Sequence, residues 1–225
     1  MQPASKRFTE DDKRRINEAV GRAELKTSAE IVPVVATASG RYDRPEDIVG
    51  VWFGLAGMIA AWYLVPSGEG APGSWGGFPS WAKLLCLAAA VVVGFLAGAT
   101  LATHVGWLRR LFTPRSQMRD EVAARAREMF FDGRVHHTAG ATGVMMYISL
   151  YERMATILAD QAVMDSLGAE ALEELRGELL RRLGEFGPTE ALCGVIESAG
   201  ERLGPVLPRE ADDVNELPDG LVTID

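Results

Sequence analysis

The side chains in this chain best suited to chemistry are carboxylates. Asp160 ends the apolar run Ile157-Leu158-Ala159, at a strand-to-loop position of the kind where sites are often built. Glu30 opens a second β-like run, directly after Thr27 and Ser28, and the segment Asp212-Asp213-Val214-Asn215-Glu216 gathers hard oxygen donors near residue 215. If that segment folds back over the end of a sheet, Asp160, Glu30, Asp212, Asp213 and Glu216 could supply the ligands that Ca²⁺ or Mg²⁺ prefers. The plainer alternative is two strand-end turns and a solvated acidic tail, because these acids lack the fixed spacing of a calcium loop. Nothing points to an organic cofactor. The chain has no Walker loop, no Gly-x-Ser-x-Gly elbow and no His-Glu-x-x-His helix, and so no catalytic residue can be assigned. His136 and His137 are neighbours on a loop, a poor chelating pair without further ligands, and His104 is expected to hydrogen-bond near the end of an apolar run.

Positioning these acids requires a sheet. Residues 30–37 and 143–150 alternate or run apolar as strands do, as do residues 153–159, with Tyr151 and Glu152 expected as a tight hairpin turn. Pro33 lacks a donor, which suggests an edge position or a strand end. Helical spacing appears after Thr9, where Glu10, Asp11 and Asp12 follow a capping residue, with Ile16, Val20 and Ala23 on one face. It recurs through Met118, Val122, Ala126, Met129 and Phe130, then through Leu172, Leu175, Leu179 and Leu183. Pro188-Thr189-Glu190 opens a last helix facing inward through Leu192, Val195, Ile196, Ala199 and Leu203, and the tail from Pro205 reads as irregular.

Between the first strand and the remaining elements stands an apolar hairpin. Residues 48–65 and 84–108 contain no Asp, Glu, Lys or Arg, and each run is near the 20 residues a membrane span needs. All five tryptophans fall at 52, 62, 75, 81 and 107, as interfacial belts would require. The connector 66–83 is rich in Gly, Pro and Ser. Gly50 and Gly54, and likewise Gly94 and Gly98, are spaced for close helix approach. They could join the two spans or drive a homodimer, and spacing leaves both open.

A single strand before the hairpin has no stable partner, so strand 30–37 should pair with the strands beyond residue 140. Residues 1–47 and 109–225 then form one domain interrupted by the hairpin 48–108, with both flanks on the same side of the membrane. Arg41, Arg44, Arg109, Arg110, Arg115 and Arg119 flank the spans while the connector carries only Lys83 and Glu69. The positive-inside rule therefore turns the domain toward the cytoplasm, in the inner membrane, with the connector outside. No cleavable leader is visible, and the first span is expected to serve as the insertion signal. Two widely separated cysteines, Cys86 and Cys193, make a bridge implausible. Residues 150–225 hold 17 Asp and Glu against 6 Arg, which argues against nucleic acid as a partner.

Several stretches together resemble the TPM domain family. They are Thr27-Ser28-Ala29-Glu30-Ile31-Val32; Arg125-Ala126-Arg127-Glu128-Met129-Phe130 leading to Thr138; Thr142-Gly143-Val144-Met145-Met146-Tyr147-Ile148-Ser149; Glu152-Arg153 with Ile157-Leu158-Ala159-Asp160; and Asn215-Glu216-Leu217-Pro218. The likeness covers residues 8–47 and 113–219. It implies an α/β fold, an α/β/α sandwich with a small central sheet, usually tied to a membrane. Plant relatives have been proposed as acid phosphatases, and some members bind metal at acidic residues. By that match Asp160 leads the metal candidates, Glu30 follows, and the tail acids come third. The internal hairpin departs from the exported relatives and puts their roles in doubt here. Two functions follow: a non-catalytic binding, assembly or quality-control module for another membrane protein or complex, with a structural metal at its acidic site; or a metal-dependent phosphatase acting on phosphomonoesters. Binding is favoured, because a net-negative half repels phosphate esters and no Lys or Arg cluster accompanies the acids.

Overall fold

The structure, a computed structural model, describes residues 2–42, 44–66, 79–105, 110–138, 140–209, 216–217 and 220–225. The chain divides into two units, residues 1–40 with 116–225, and residues 41–115.

The first unit is built on a sheet of β1 (Glu30–Ala36), β2 (Gly143–Ser149), β3 (Met154–Ala159) and β4 (Val222–Ile224), in the order β3-β2-β1-β4. β1 pairs parallel with β2, Glu30 opposite Gly143 through Ala36 opposite Ser149, as the lone first strand required. β3 runs antiparallel to β2. The connection between them is four residues long, 150–153, with Arg153 at φ 53°, rather than the two-residue turn expected. The stretch after Pro205 also departs from expectation, because it returns as β4 and pairs parallel with β1.

That added strand makes β1 interior, which corrects the edge position inferred from Pro33. The missing donor is still accommodated locally. Along β1 the odd residues face away from β2: the Ile31 N–H donates to Glu24 Oε1 (3.0 Å) and the Thr37 N–H to the Ile224 carbonyl (2.8 Å). Pro33 lies between these two bonds, and pairing with β4 begins only at Val34. No donor is needed where proline supplies none.

Strand alternation divides the core into two layers. On one face Ile31, Val35, Val144, Met146 and Ile148 pack with α2 (Glu10–Glu24), α7 (Ala169–Glu185) and α8 (Pro188–Leu203). On the other, Val32, Val34, Met145 and Tyr147 meet Val122, Ala126 and Phe130 of α5 (Arg115–Asp132). This is the α/β/α sandwich. The short helices α1 (Ala4–Arg7) and α6 (Gln161–Leu167) complete the unit. Helix α2 starts at a full capping box between Thr9 and Asp12, and the two bonds from Thr9 hold the Asp12 carboxyl below its usual range.

The uneven charge of the sequence resolves here. Arg15 and Arg22 of α2, and Lys26 two residues beyond its end, lie opposite Glu190, Glu197 and Glu201 of α8, each pair 175 residues apart, so the two helices run parallel in step. Gly200 makes the close approach possible, since a methyl group there would come within 2.8 Å of Ala23. Three acids of the C-terminal half thus face a basic stripe from the N-terminal flank.

The second unit is a helical hairpin of α3 (Arg44–Leu64) and α4 (Ser80–His104). Two helices in it are long and apolar enough to cross a membrane, Glu46–Leu64 and Ser80–His104, with mean hydropathies of 1.5 and 2.5. The second helix begins four residues before the charge-free run, taking Lys83 into its first turn, where the ammonium lies 4.3 Å from the centre of the Trp62 ring. Of the apolar windows only 17% and 6% is buried within the chain, whereas core helices of a soluble protein would be largely covered. Trp52, Trp62 and Trp81 are all exposed, and Trp75 and Trp107 lie outside the described residues. Gly50, Gly54, Gly94 and Gly98 face the other helix of the same chain, and a methyl group at Gly94 would come within 2.6 Å of the Phe53 carbonyl.

Candidate functional site

Glu30, Gly143 and Asp160 form a row across one end of the sheet. Glu30 is the register partner of Gly143, and the Asp160 N–H donates to the Gly143 carbonyl on the other side (2.9 Å). Alternation puts all three on the α5 face. The two acids are thus two interstrand spacings apart, roughly 9–10 Å between α-carbons. Gly143 is obligatory between them, because any Cβ would strike the Val135 backbone. A main-chain segment, not an open cleft, therefore separates the two carboxylates.

Each acid also has local duties. Asp160 is the N-cap of α6, its Oδ1 accepting from the Gln161 N–H at 2.8 Å. Its Oδ2 is buried and has no hydrogen-bond partner among the described residues. Glu30 is buried, and its Oε1 accepts from the Glu216 N–H at 3.1 Å. Of the segment near residue 215, Glu216 and Leu217 are described and lie at this end of the sheet, where Leu217 packs against the α5-side core. Glu216 meets Glu30 through its backbone, while the residue itself is exposed. Asp212 and Asp213 lie outside the described residues. Thr138 and Thr142, both buried, close the row: the Thr142 N–H donates to Thr138 Oγ1 (2.8 Å) and its carbonyl accepts from the Glu30 N–H (3.3 Å).

Asp160 Oδ2 is a hard anionic oxygen left open in a buried setting, which suits Ca²⁺ or Mg²⁺. Among the described residues no three His, Cys, Asp or Glu side chains lie together as a metal would require. The fit therefore rests on one oxygen.

The opposite end of the sheet holds a polar cluster that the sequence did not reveal. Glu152 is buried in the β2–β3 turn; its Oε1 accepts from the Ser39 N–H (2.9 Å) and its Oε2 from the Ser149 hydroxyl. Ser39 Oγ donates to Ser149 Oγ (2.9 Å), so its contact with the Tyr147 hydroxyl, also 2.9 Å, must have Tyr147 as donor. Three hydroxyls thus point their protons in series toward one carboxylate. Burial, opposed in part by the bond to Ser39 and reinforced by Glu152, raises the Tyr147 phenol above its usual range. Ser39 and Glu152 are 113 residues apart with the hairpin between, so no local spacing could have signalled the contact.

The histidines take no part in either group. His136 packs edge-on to Phe131 with ring centres 4.9 Å apart and lies beside His137, while His104 Nδ1 is 2.8 Å from the Thr100 carbonyl.

No protein-family model and no curated protein matches the chain. Among solved structures, the fold is similar to the NMR structure of BA42 protein from the psychrophilic bacterium Bizionia argentinensis. The TM-score is 0.55 at 15% identity, covering 96% of this chain and 94% of that one. At this identity the likeness concerns fold alone.

Proposed function

We propose that the protein is a TPM-like α/β/α domain held at the membrane by its own internal hairpin, serving as a binding module for another membrane protein or complex in its assembly or quality control. The observation that carries this reading is the parallel pairing of β1 with β2 across an inserted apolar hairpin. Both chain passages into the hairpin leave from one end of the sheet: Gly40 packs against Glu121, in the second turn of α5. A domain closed in this way keeps both flanks on one side, and the flanking arginines favour the cytoplasmic face of the inner membrane. The distributed TPM resemblance of both flanks and the fold likeness to BA42 support the domain assignment.

Binding is preferred over catalysis because the two leading candidate acids already accept a main-chain N–H, Asp160 from Gln161 and Glu30 from Glu216. One observation favours a metal within this reading, the open Asp160 Oδ2. A divalent cation there would neutralise the carboxylate and tie the tail to the sheet; in the phosphatase alternative it would also polarise a phosphoryl oxygen. Calorimetric titration with Ca²⁺, Mg²⁺ and Mn²⁺, beside a phosphomonoester assay, separates these readings. Cation binding that is lost in Asp160→Asn, with no turnover, supports a metal-holding binding module. Turnover that disappears in the same variant while the fold survives would establish the enzyme.

A further inference from the structure

We infer that the arginines at the closed end of the hairpin form a docking surface for anionic phospholipid headgroups; this rests on the membrane-anchored reading above. Arg41 precedes α3, and Arg110 and Arg115 follow α4, so in an antiparallel hairpin they gather at one end. Two neighbours of these arginines are buried: Tyr42, next to Arg41, is 2% exposed, and Thr113, two residues before Arg115, is 5% exposed. Arg41 and Arg115 are themselves exposed.

Their charge is not neutralised locally. Arg15, Arg22, Arg125, Arg176, Arg182 and Arg202 in the sandwich all hold carboxylates, but Arg41, Arg110 and Arg115 form no ion pair among the described residues. The acids nearest in sequence are Asp43, Glu46 and Asp47 after Arg41, and Asp120 and Glu121 after Arg115. Glu46 and Asp47 occupy the first turn of α3, where the helix N-terminus already offsets negative charge. In the sequence, the connector 66–83 holds only Lys83 and Glu69 as charged residues. A cationic rim beside two lipid-exposed helices complements phosphatidylglycerol or another anionic headgroup, with each arginine near the surface strengthening the attraction about fivefold. Guanidinium also bonds phosphate oxygens in pairs.

The test uses the full chain reconstituted into bilayers, with its own tryptophans as reporters. Quenching by brominated phosphatidylglycerol is compared with quenching by brominated phosphatidylcholine, which gives the relative binding constant of the two lipids. The expected result is a preference of at least fivefold for the anionic lipid, diminished in high salt. It should fall to near one in the triple variant Arg41→Gln, Arg110→Gln, Arg115→Gln and survive when the same residues become Lys. A correctly inserted protein with no preference, or a Gln variant that keeps it, overturns the proposal while leaving the anchor intact. Failure of the chain to resist carbonate extraction from the bilayer would instead overturn the anchoring, and the lipid surface with it.

Discussion

The two ends of the sheet each present an acid, Glu152 buried at one and Asp160 half-buried with its Oδ2 covered at the other, and they use it differently. At the Ser39 end, Glu152 has a donor on each oxygen, from Ser39 N–H and the Ser149 hydroxyl. At the other end, Asp160 has one oxygen on the Gln161 N–H and the second open. A buried carboxylate with both oxygens accepting is a structural clamp, since removing it strands its donors. One with an open oxygen is where a cation or ligand would gain most. The contrast separates two roles: Glu152 secures the passage of β1 toward the hairpin, and Asp160 is the acid on which the proposed cation or ligand reading depends.

The sharpest way to break this comparison is Glu152→Ala. It leaves Ser39 N–H and the Ser149 hydroxyl without their acceptor inside the protein, and should cost about 3 kcal/mol in denaturant unfolding of the reconstituted chain. A loss below 1 kcal/mol would mean that the clamp is replaceable by water. Next comes Gly143→Ala at the Asp160 end, which must displace the Val135 backbone and should cost about 2 kcal/mol by the same measurement. Asp160→Ala should cost only about 1 kcal/mol, the value of a helix cap, because one oxygen alone has structural work. Equal losses for Glu152→Ala and Asp160→Ala would erase the distinction between the ends.

The smallest effect concerns pH. Because the Tyr147 phenol is raised in the folded state, its contribution to stability is complete below the unfolded value near 10 and is lost as pH rises through the folded value. Unfolding midpoints followed from pH 9 to 11.5 should therefore decline in the wild type, and decline less in Tyr147→Phe. A Tyr147→Phe profile that declines as steeply would remove the phenol from the alkaline response.

Much of the fold could be read from the sequence because its signals were local. The Thr9 cap, the apolar face of α5 and the charge-free runs each lie within a few turns of chain, and β1 had to find a partner beyond residue 140. What escaped depended on distant contacts. β4 is only three residues long and is defined by its pairing with β1 rather than by any pattern of its own. Pro33 pointed to an edge, whereas its local setting is a gap between the Glu24 bond and the start of β4. At the site, Asp160 and Glu30 do reach the same end of the sheet, but that Glu216 would contribute its backbone was not encoded in its carboxylate. The Ser39–Glu152 contact spans the whole hairpin and exists only after the sheet has closed.

That closure is the claim on which the rest stands, and cysteine labelling in sealed membrane vesicles tests it most directly. Cys86 and Cys193 are first replaced by Ser, and single cysteines are then introduced at Glu10, Ser166 and Ser74, in the first flank, the second flank and the connector. An impermeant thiol reagent should treat the cysteines at 10 and 166 alike and the one at 74 oppositely, whichever way the vesicles are oriented. Different labelling at 10 and 166, or the same labelling at all three, would contradict a single domain closed across a two-span hairpin.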